Sequence, residues 1–205
     1  RRQRYIGVRD SYSASKACAD IVSQSFYNSY FKDKKIALAT ARAGNVIGGG
    51  DWSENRLIPD IIRAYQTKGT LKVRSPEATR PWQHVLEPLV GYLLLCEHLS
   101  KNKMDFSQPF NFGPNKCDCL SVYEVLKIAK QYLSGDLKYL IQKDEIFHEA
   151  NYLQLDSTKA KILLNWESQM NAKQALEKTI NWYKTEPKNI LNKTYSQIEQ
   201  YLENY

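Results

Sequence analysis

Tyr12 and Lys16 stand four residues apart in Tyr12-Ser-Ala-Ser-Lys16, at the start of a stretch that reads as helix. On a helix this spacing sets a phenol and an ammonium on one face, a turn apart. A nearby cation stabilises phenolate over phenol, so such a pair can take a proton from a hydroxyl group. Bringing a phenol from its ordinary pKa of ~10 to neutrality takes ~3 units, or ~4 kcal/mol. One lysine on a solvated helix does not supply that, so burial, a second positive charge such as an oxidised nicotinamide, or both must add the rest. Taken alone, the spacing is more readily that of a solvated surface pair.

Two further stretches carry chemistry. Ala43-Gly-Asn-Val-Ile-Gly-Gly-Gly-Asp-Trp-Ser-Glu-Asn-Arg56 follows an apolar run and holds three consecutive glycines. That composition predicts a flexible, close-approach loop beyond a strand end, where open α/β sheets bind ligands. It is neither the G-x-G-x-x-G dinucleotide fingerprint nor a phosphate loop with its lysine. Thr79-Arg-Pro-Trp-Gln-His-Val85 joins a guanidinium, an indole and an imidazole in one extended segment. Arginine suits bidentate phosphate recognition and tryptophan offers a rigid wall. The other reading makes Trp82 core and Arg80 a cap, and the segment alone leaves both open.

Composition bounds the partners. The 205 residues carry a net charge of +7, with 42% hydrophobic and 25% charged residues, as in an ordinary globular protein. The basic residues are scattered, so a diphosphate-bearing ligand or plain solubility is a better match than nucleic acid. No run approaches the ~18 apolar residues of a membrane span. The four cysteines, Cys18, Cys96, Cys117 and Cys119, form no Cys-x-x-Cys pair. Reduced thiols in a cytoplasm are expected, and neither a metal nor a disulfide framework.

The elements that must position these groups follow from periodicity. Residues 12–31 read as a helix, and Ile36–Arg42 as a strand buried on both faces of a parallel sheet. Leu57–Gln66 reads as a helix with Pro59 in its first turn and Lys68-Gly69 closing it. Residues 71–74, 110–113 and 137–141 read as strands, and 88–99 as an apolar helix. Ser121 and Glu124 match a capping box that opens a helix to about Ser134. Asp156 is a plausible N-cap for Ser157–Leu164, and Asn171–Lys184 is a further helix. Leu191–Tyr205 is either a packed terminal helix or a tail. Strand-helix alternation early and mixed short elements later predict an α/β fold, the end of a parallel sheet joined to a smaller lobe.

Several stretches together resemble one family. They are Tyr12-Ser-Ala-Ser-Lys16, Ala41–Trp52, Arg56-Leu-Ile-Pro-Asp60, Arg80-Pro-Trp-Gln-His-Val-Leu-Glu-Pro-Leu89, Gly91–Leu95, Phe110–Asn115 and His148-Glu-Ala150. In order, from about Gly7 to Trp182, they look like the CDP-glucose 4,6-dehydratases, a branch of the extended short-chain dehydrogenase/reductases of the NAD-dependent epimerase/dehydratase type. Asp10-Ser-Tyr12 departs from the family's usual Asp-Pro-Tyr but spares the pair.

The resemblance implies the C-terminal part of a Rossmann-type parallel sheet plus a smaller α/β substrate-binding lobe. It assigns residues 1–47 to the end of the NAD-binding domain, 48–189 mostly to the substrate lobe with returns to the sheet, and 190–205 to a C-terminal tail. It implies a lyase that uses tightly held NAD to convert CDP-glucose to CDP-4-keto-6-deoxyglucose, feeding dideoxyhexose synthesis for polysaccharide. Tyr12 is then the base, and Lys16 holds the nicotinamide ribose and favours the phenolate. Asn45 and Arg80 lie near the sugar diphosphate, while Arg56, Leu57, Arg74 and His148 line the nucleotide pocket. A cytoplasmic homo-oligomer, dimer or tetramer, is expected. The family's glycine-rich fingerprint and elimination residues belong upstream of Arg1, so these residues alone are expected neither to bind NAD tightly nor to turn over sugar. The rival readings are another sugar-nucleotide epimerase or decarboxylase, or a non-catalytic binding remnant.

Overall fold

The computed structural model describes residues 11–101, 104–133, 137–142 and 153–203. In chain order it contains α1 (Ser11–Phe26), extended by a π-helical turn over Tyr27–Phe31, then β1 (Ala41–Ala43), β2 (Asn45–Ile47), α2 (Leu57–Gln66), β3 (Thr70–Val73) and β4 (Thr79–His84). There follow α3 (Leu86–Ser100), β5 (Phe110–Phe112), β6 (Cys119–Ser121), α4 (Val122–Tyr132), β7 (Lys138–Ile141), α5 (Thr158–Leu164), α6 (Ala172–Tyr183) and α7 (Ile190–Leu202). The fold is α/β. Strands β1 and β5 pair in parallel, as do β2 with β4 and β3 with β7, while β6 runs antiparallel on the other side of β4.

Proline and glycine set the breaks between strands. The register Asn45↔Trp82 places Gly44 opposite Pro81, which has no N–H to give the ladder. The chain bends at Gly44, where an added Cβ would lie 2.9 Å from the Pro81 carbonyl oxygen and 3.0 Å from its Cγ. That bend divides β1 from β2. The strand expected over 36–42 is therefore corrected: regular pairing is confined to β1, and Ile36 is exposed. A parallel strand takes its hydrogen bonds from neighbours, and among the described residues β1 has only β5. Pro109, one residue before Phe110, ends that pairing upstream.

Helix boundaries follow local chemistry. Pro59 sits in the first turn of α2, and Lys68, with φ 53°, takes the left-handed position beyond its end. Both halves of the Ser121–Glu124 capping box are formed, and Asn171 with Gln174 makes a second one on α6. Asp156 Oδ1 accepts from Thr158 N at 3.0 Å, capping α5 from one residue before its N-cap, Ser157. Residues 190–202 resolve the two readings of the C-terminus in favour of a packed helix, with Gln197 and Tyr201 buried.

Two apolar cores result. The larger packs α2, α4 and α6 against β2, β3 and β4 through Ile58, Ile61, Ile62, Leu126, Leu176 and Trp82, among others. The smaller joins α3, β5 and α5 through Leu95, Phe110, Phe112, Leu164 and Trp166. Between them lies a buried polar joint. Gln83 Nε2 donates to Phe112 O at 2.8 Å, and the fully buried Glu87 accepts from Gln169 N, from Met170 N at 2.7 Å and from the Tyr201 hydroxyl at 2.9 Å. Burial nevertheless pushes the Glu87 carboxyl above its ordinary range, against the pull of these donors.

Candidate active site

Tyr12 and Lys16 lie a turn apart near the start of α1, with Lys16 Nζ 5.5 Å from the Tyr12 ring centroid. Tyr12 is 70% exposed. Of the two aids that a phenolate needs, burial is thus not given by the described residues, and a second positive charge is left. A phenol and a three-donor ammonium open to one side match the hydroxyls of a cofactor ribose. One turn beyond Lys16, Asp20 pairs with Arg42 of β1 at 2.7 Å, and Arg42 also donates to Asn111 of β5 at 3.4 Å. This fastens α1 to the strand pair just ahead of Asn45.

Asn45 opens β2, in register with Trp82 and two residues from Arg80 on the neighbouring strand. Arg80 Nη1 donates to the Thr79 carbonyl at 3.0 Å. Trp82 is core: its ring is buried and its Nε1 donates to Leu120 O at 3.0 Å, so it presents no wall to a ligand. A side chain two residues along a strand from Arg80 shares its face, which is why sequence alone left the assignment open.

The glycine loop follows β2 and delivers Arg56 and Leu57 to the start of α2. Arg56 is exposed, its Nη1 3.7 Å from Asp51. Leu57 is half-buried against the larger core. Arg74, just past β3, donates to Asn55 Oδ1 at 2.9 Å, which brings Arg56, Leu57 and Arg74 into one group. The glycines here are shaped by the protein itself. A Cβ on Gly49 would fall 2.0 Å from Trp182 Cδ2, and one on Gly48 would fall 2.8 Å from Val85 Cγ1. The close approach expected of this loop is to α6 and to the β4–α3 junction. His148 lies outside the described residues.

The sequence predicts two clusters that the structure brings together: Asn45 with Arg80 on paired strands, and Arg56, Leu57 and Arg74 around Asn55. The Tyr12–Lys16 pair sits on α1, which the Asp20–Arg42 ion pair ties to β1. Sequence reasoning missed Asp20, Arg42, Arg63 and Tyr183, which hold the site's elements in place. Their partners are distant in the chain, and no local spacing signals them. The arrangement offers a proton acceptor beside a cation, and guanidinium groups suited to a polyanionic ligand.

No family model matches the chain. Over 184 residues, 87% of its length, the chain is 39% identical to the CDP-glucose 4,6-dehydratase of Salmonella typhimurium, of which it covers 51%. The chain is similar to CDP-glucose 4,6-dehydratase. It spans about half the length of the curated relatives it matches. The UDP-glucuronic acid 4-epimerase of Bacillus cereus, solved with UDP-glucuronic acid and NAD, superposes with a TM-score of 0.72 at 16% identity, over 84% of this chain and 52% of that one. The dTDP-glucose 4,6-dehydratase of Bacillus anthracis, solved with NAD, gives 0.68 at 21% identity, over 87% and 53%. These two likenesses concern the fold. They agree with the relation to CDP-glucose 4,6-dehydratase in placing the chain on the scaffold of sugar-nucleotide epimerases and dehydratases.

Proposed function

We propose that this chain supplies the proton-transfer pair and the nucleotide-sugar lobe of a lyase that converts CDP-glucose to CDP-4-keto-6-deoxyglucose with bound NAD. The observation that carries the reading is the 39% identity with CDP-glucose 4,6-dehydratase over 87% of the chain. The exposed Tyr12–Lys16 pair on α1 supports it, since its donors fit a ribose. NAD, when bound, supplies the acceptor and donor of two electrons and a positive charge beside the phenol. Lys16 binds the ribose hydroxyls and favours the phenolate of Tyr12, and Tyr12 takes the O4 proton of the hexose. Asn45 and Arg80 bind the diphosphate, while Arg56, Leu57, Arg74 and His148 line the nucleotide pocket within a substrate lobe formed mostly by residues 48–189.

The same reading includes a homo-oligomer in the cytoplasm. The apolar side chains that α1 and its π-helical extension expose, Ile21, Val22, Phe26 and Tyr30, support a covered face there. Among the described residues no helix is long and apolar enough to cross a membrane.

The test is calorimetric titration of the chain with CDP, UDP and dTDP, together with incubation of the complete gene product with CDP-glucose. Preferential CDP binding and a 4-keto product absorbing near-ultraviolet light in alkali are expected. Turnover of dTDP-glucose but not CDP-glucose would overturn the base assignment. Epimerised sugar, or nucleotide binding without any turnover, would replace the lyase reading by its rivals.

A further inference from the structure

The loop from Gly48 to Arg56 is nine residues long, carries three glycines, and has no regular structure between β2 and α2. Glycine-rich backbone loses much conformational freedom when fixed, so a loop of this kind holds a guanidinium in place only if something outside it fastens the chain. The fastenings are present, and they come from two helices.

From α6, the Tyr183 hydroxyl donates to the Asp51 carbonyl, and the Trp52 ring meets the Tyr183 ring edge-on at 5.0 Å and 81°. The neighbouring Trp182 lies against Gly49, where only a residue without Cβ fits, and its Nε1 donates to Thr194 Oγ1 of α7 at 2.9 Å. From α2, Arg63 donates through Nη1 to Trp52 O at 2.8 Å and through Nη2 to Ser53 O at 3.0 Å, while pairing with Asp60. The loop then closes on itself: Asp51 Oδ1 accepts from Ser53 N at 2.9 Å, and the other Asp51 oxygen faces Arg56 at 3.7 Å. Tyr183 itself is buried at 8% exposure, so it reaches the site only through the loop. Burial pushes its phenol up to about 12, which keeps it a hydroxyl donor throughout the neutral range.

We infer that Tyr183 and Arg63 are positioning residues: clamping the backbone at Asp51–Ser53, they aim Arg56 at the phosphate-bearing ligand of the nucleotide pocket. The inference rests on the pocket assignment proposed above and extends it to side chains that touch no ligand. Its chemical content is specific. Tyr183 fixes Asp51, Asp51 restrains Arg56, and the guanidinium is thereby pre-organised for an anion instead of sampling solvent.

A double-mutant cycle on the 205-residue chain tests it, read by calorimetric titration with CDP. Tyr183→Phe keeps the ring and removes the donor. It is expected to weaken CDP binding about five-fold with Arg56 present, and less than about two-fold in the Arg56→Ala background. A purely structural tyrosine would weaken binding equally in both backgrounds, and that result overturns the inference. Amide hydrogen exchange provides a second readout that needs no ligand: Tyr183→Phe should speed exchange about ten-fold or more within residues 49–56 while sparing α4. Unchanged exchange in the loop also overturns it. If Arg56→Ala leaves CDP affinity unaltered while the loop exchange accelerates, the pocket assignment of Arg56 fails and the clamp on the loop stands.

Discussion

Acidification should cost this protein stability through His84. The imidazole is 2% exposed at the end of β4, its Nδ1 accepts from Leu86 N at 3.4 Å, and its Nε2 has no hydrogen-bond partner among the described residues. An accepting Nδ1 places the single proton on Nε2. A second proton would set N–H against N–H at Leu86, in a buried site near the Lys178 ammonium. Burial first, and Lys178 second, lower the His84 pKa from 6.5 to about 4. In the unfolded chain the ring keeps its ordinary value, so between the two the unfolded state binds more protons. The group's contribution is whole above about pH 6.5 and is lost as the pH falls toward about 4. A gap of ~2.5 units at ~1.4 kcal/mol each gives ~3.5 kcal/mol, of which ~3 kcal/mol is lost by pH 4. The assay is urea unfolding at a series of pH values for the natural chain and for His84→Asn, whose Oδ1 replaces the accepting nitrogen. Between about pH 7 and pH 4 the natural chain should lose ~3 kcal/mol more than the variant; other titrating groups, Glu87 included, are common to both and cancel. Parallel profiles, or a natural chain that gains on the variant in acid, would refute the reasoning.

Other substitutions probe separate parts of the structure. Glu87→Gln puts an amide NH2 among three donors, Gln169 N, Met170 N and the Tyr201 hydroxyl, and should destabilise the fold by ~2–3 kcal/mol in urea unfolding at neutral pH. An unchanged midpoint would mean that the carboxyl is already protonated and donating. Gly49→Ala drives a methyl into the Trp182 indole, with an expected cost of ~1–3 kcal/mol and a shifted tryptophan fluorescence maximum. Arg80→Ala should weaken CDP binding by ~2–5 kcal/mol if the guanidinium pairs with a desolvated phosphate. Unaltered affinity would remove Arg80 from the diphosphate site.

What was legible in the sequence is what local chemistry decides. Pro59 in the first turn of α2, the Ser121–Glu124 box on α4 and the spacing of Ala175, Leu176, Thr179 and Ile180 on α6 all marked helices that the structure contains. The strand at 36–42 was overread because an apolar run records a preference for burial, while a ladder needs partners. Among the described residues β1 has β5 alone, and Pro109 shortens even that pairing. Long-range contacts were invisible. Tyr183 meets Asp51 across 132 positions, Arg42 meets Asn111 across 69, and Tyr201 meets Glu87 across 114. Trp82 shows the same limit in one residue: its type fits a ligand wall and a core equally, and only the carbonyl of Leu120 beside its indole nitrogen decides.

The Tyr12–Lys16 pair ends in a different position from the one its spacing alone suggests. Two unit charges 5–6 Å apart interact by under ~1 kcal/mol in water and by ~3 kcal/mol at an effective dielectric constant of ~20. A phenolate at neutral pH asks for ~4 kcal/mol in all. Tyr12 is largely open to solvent, and there water screens the field of a cation such as Lys16. Covering this face of α1 changes both factors together, since excluding water strengthens the lysine's field and, on the reading proposed above, the covering group brings a positive charge of its own. The apolar side chains along the same helix, Ile21, Val22 and Phe26, are exposed too, and on that reading a second copy of the chain covers them. On the reading proposed above, the base is a property of the assembled site, and α1 contributes the geometry on which that assembly acts.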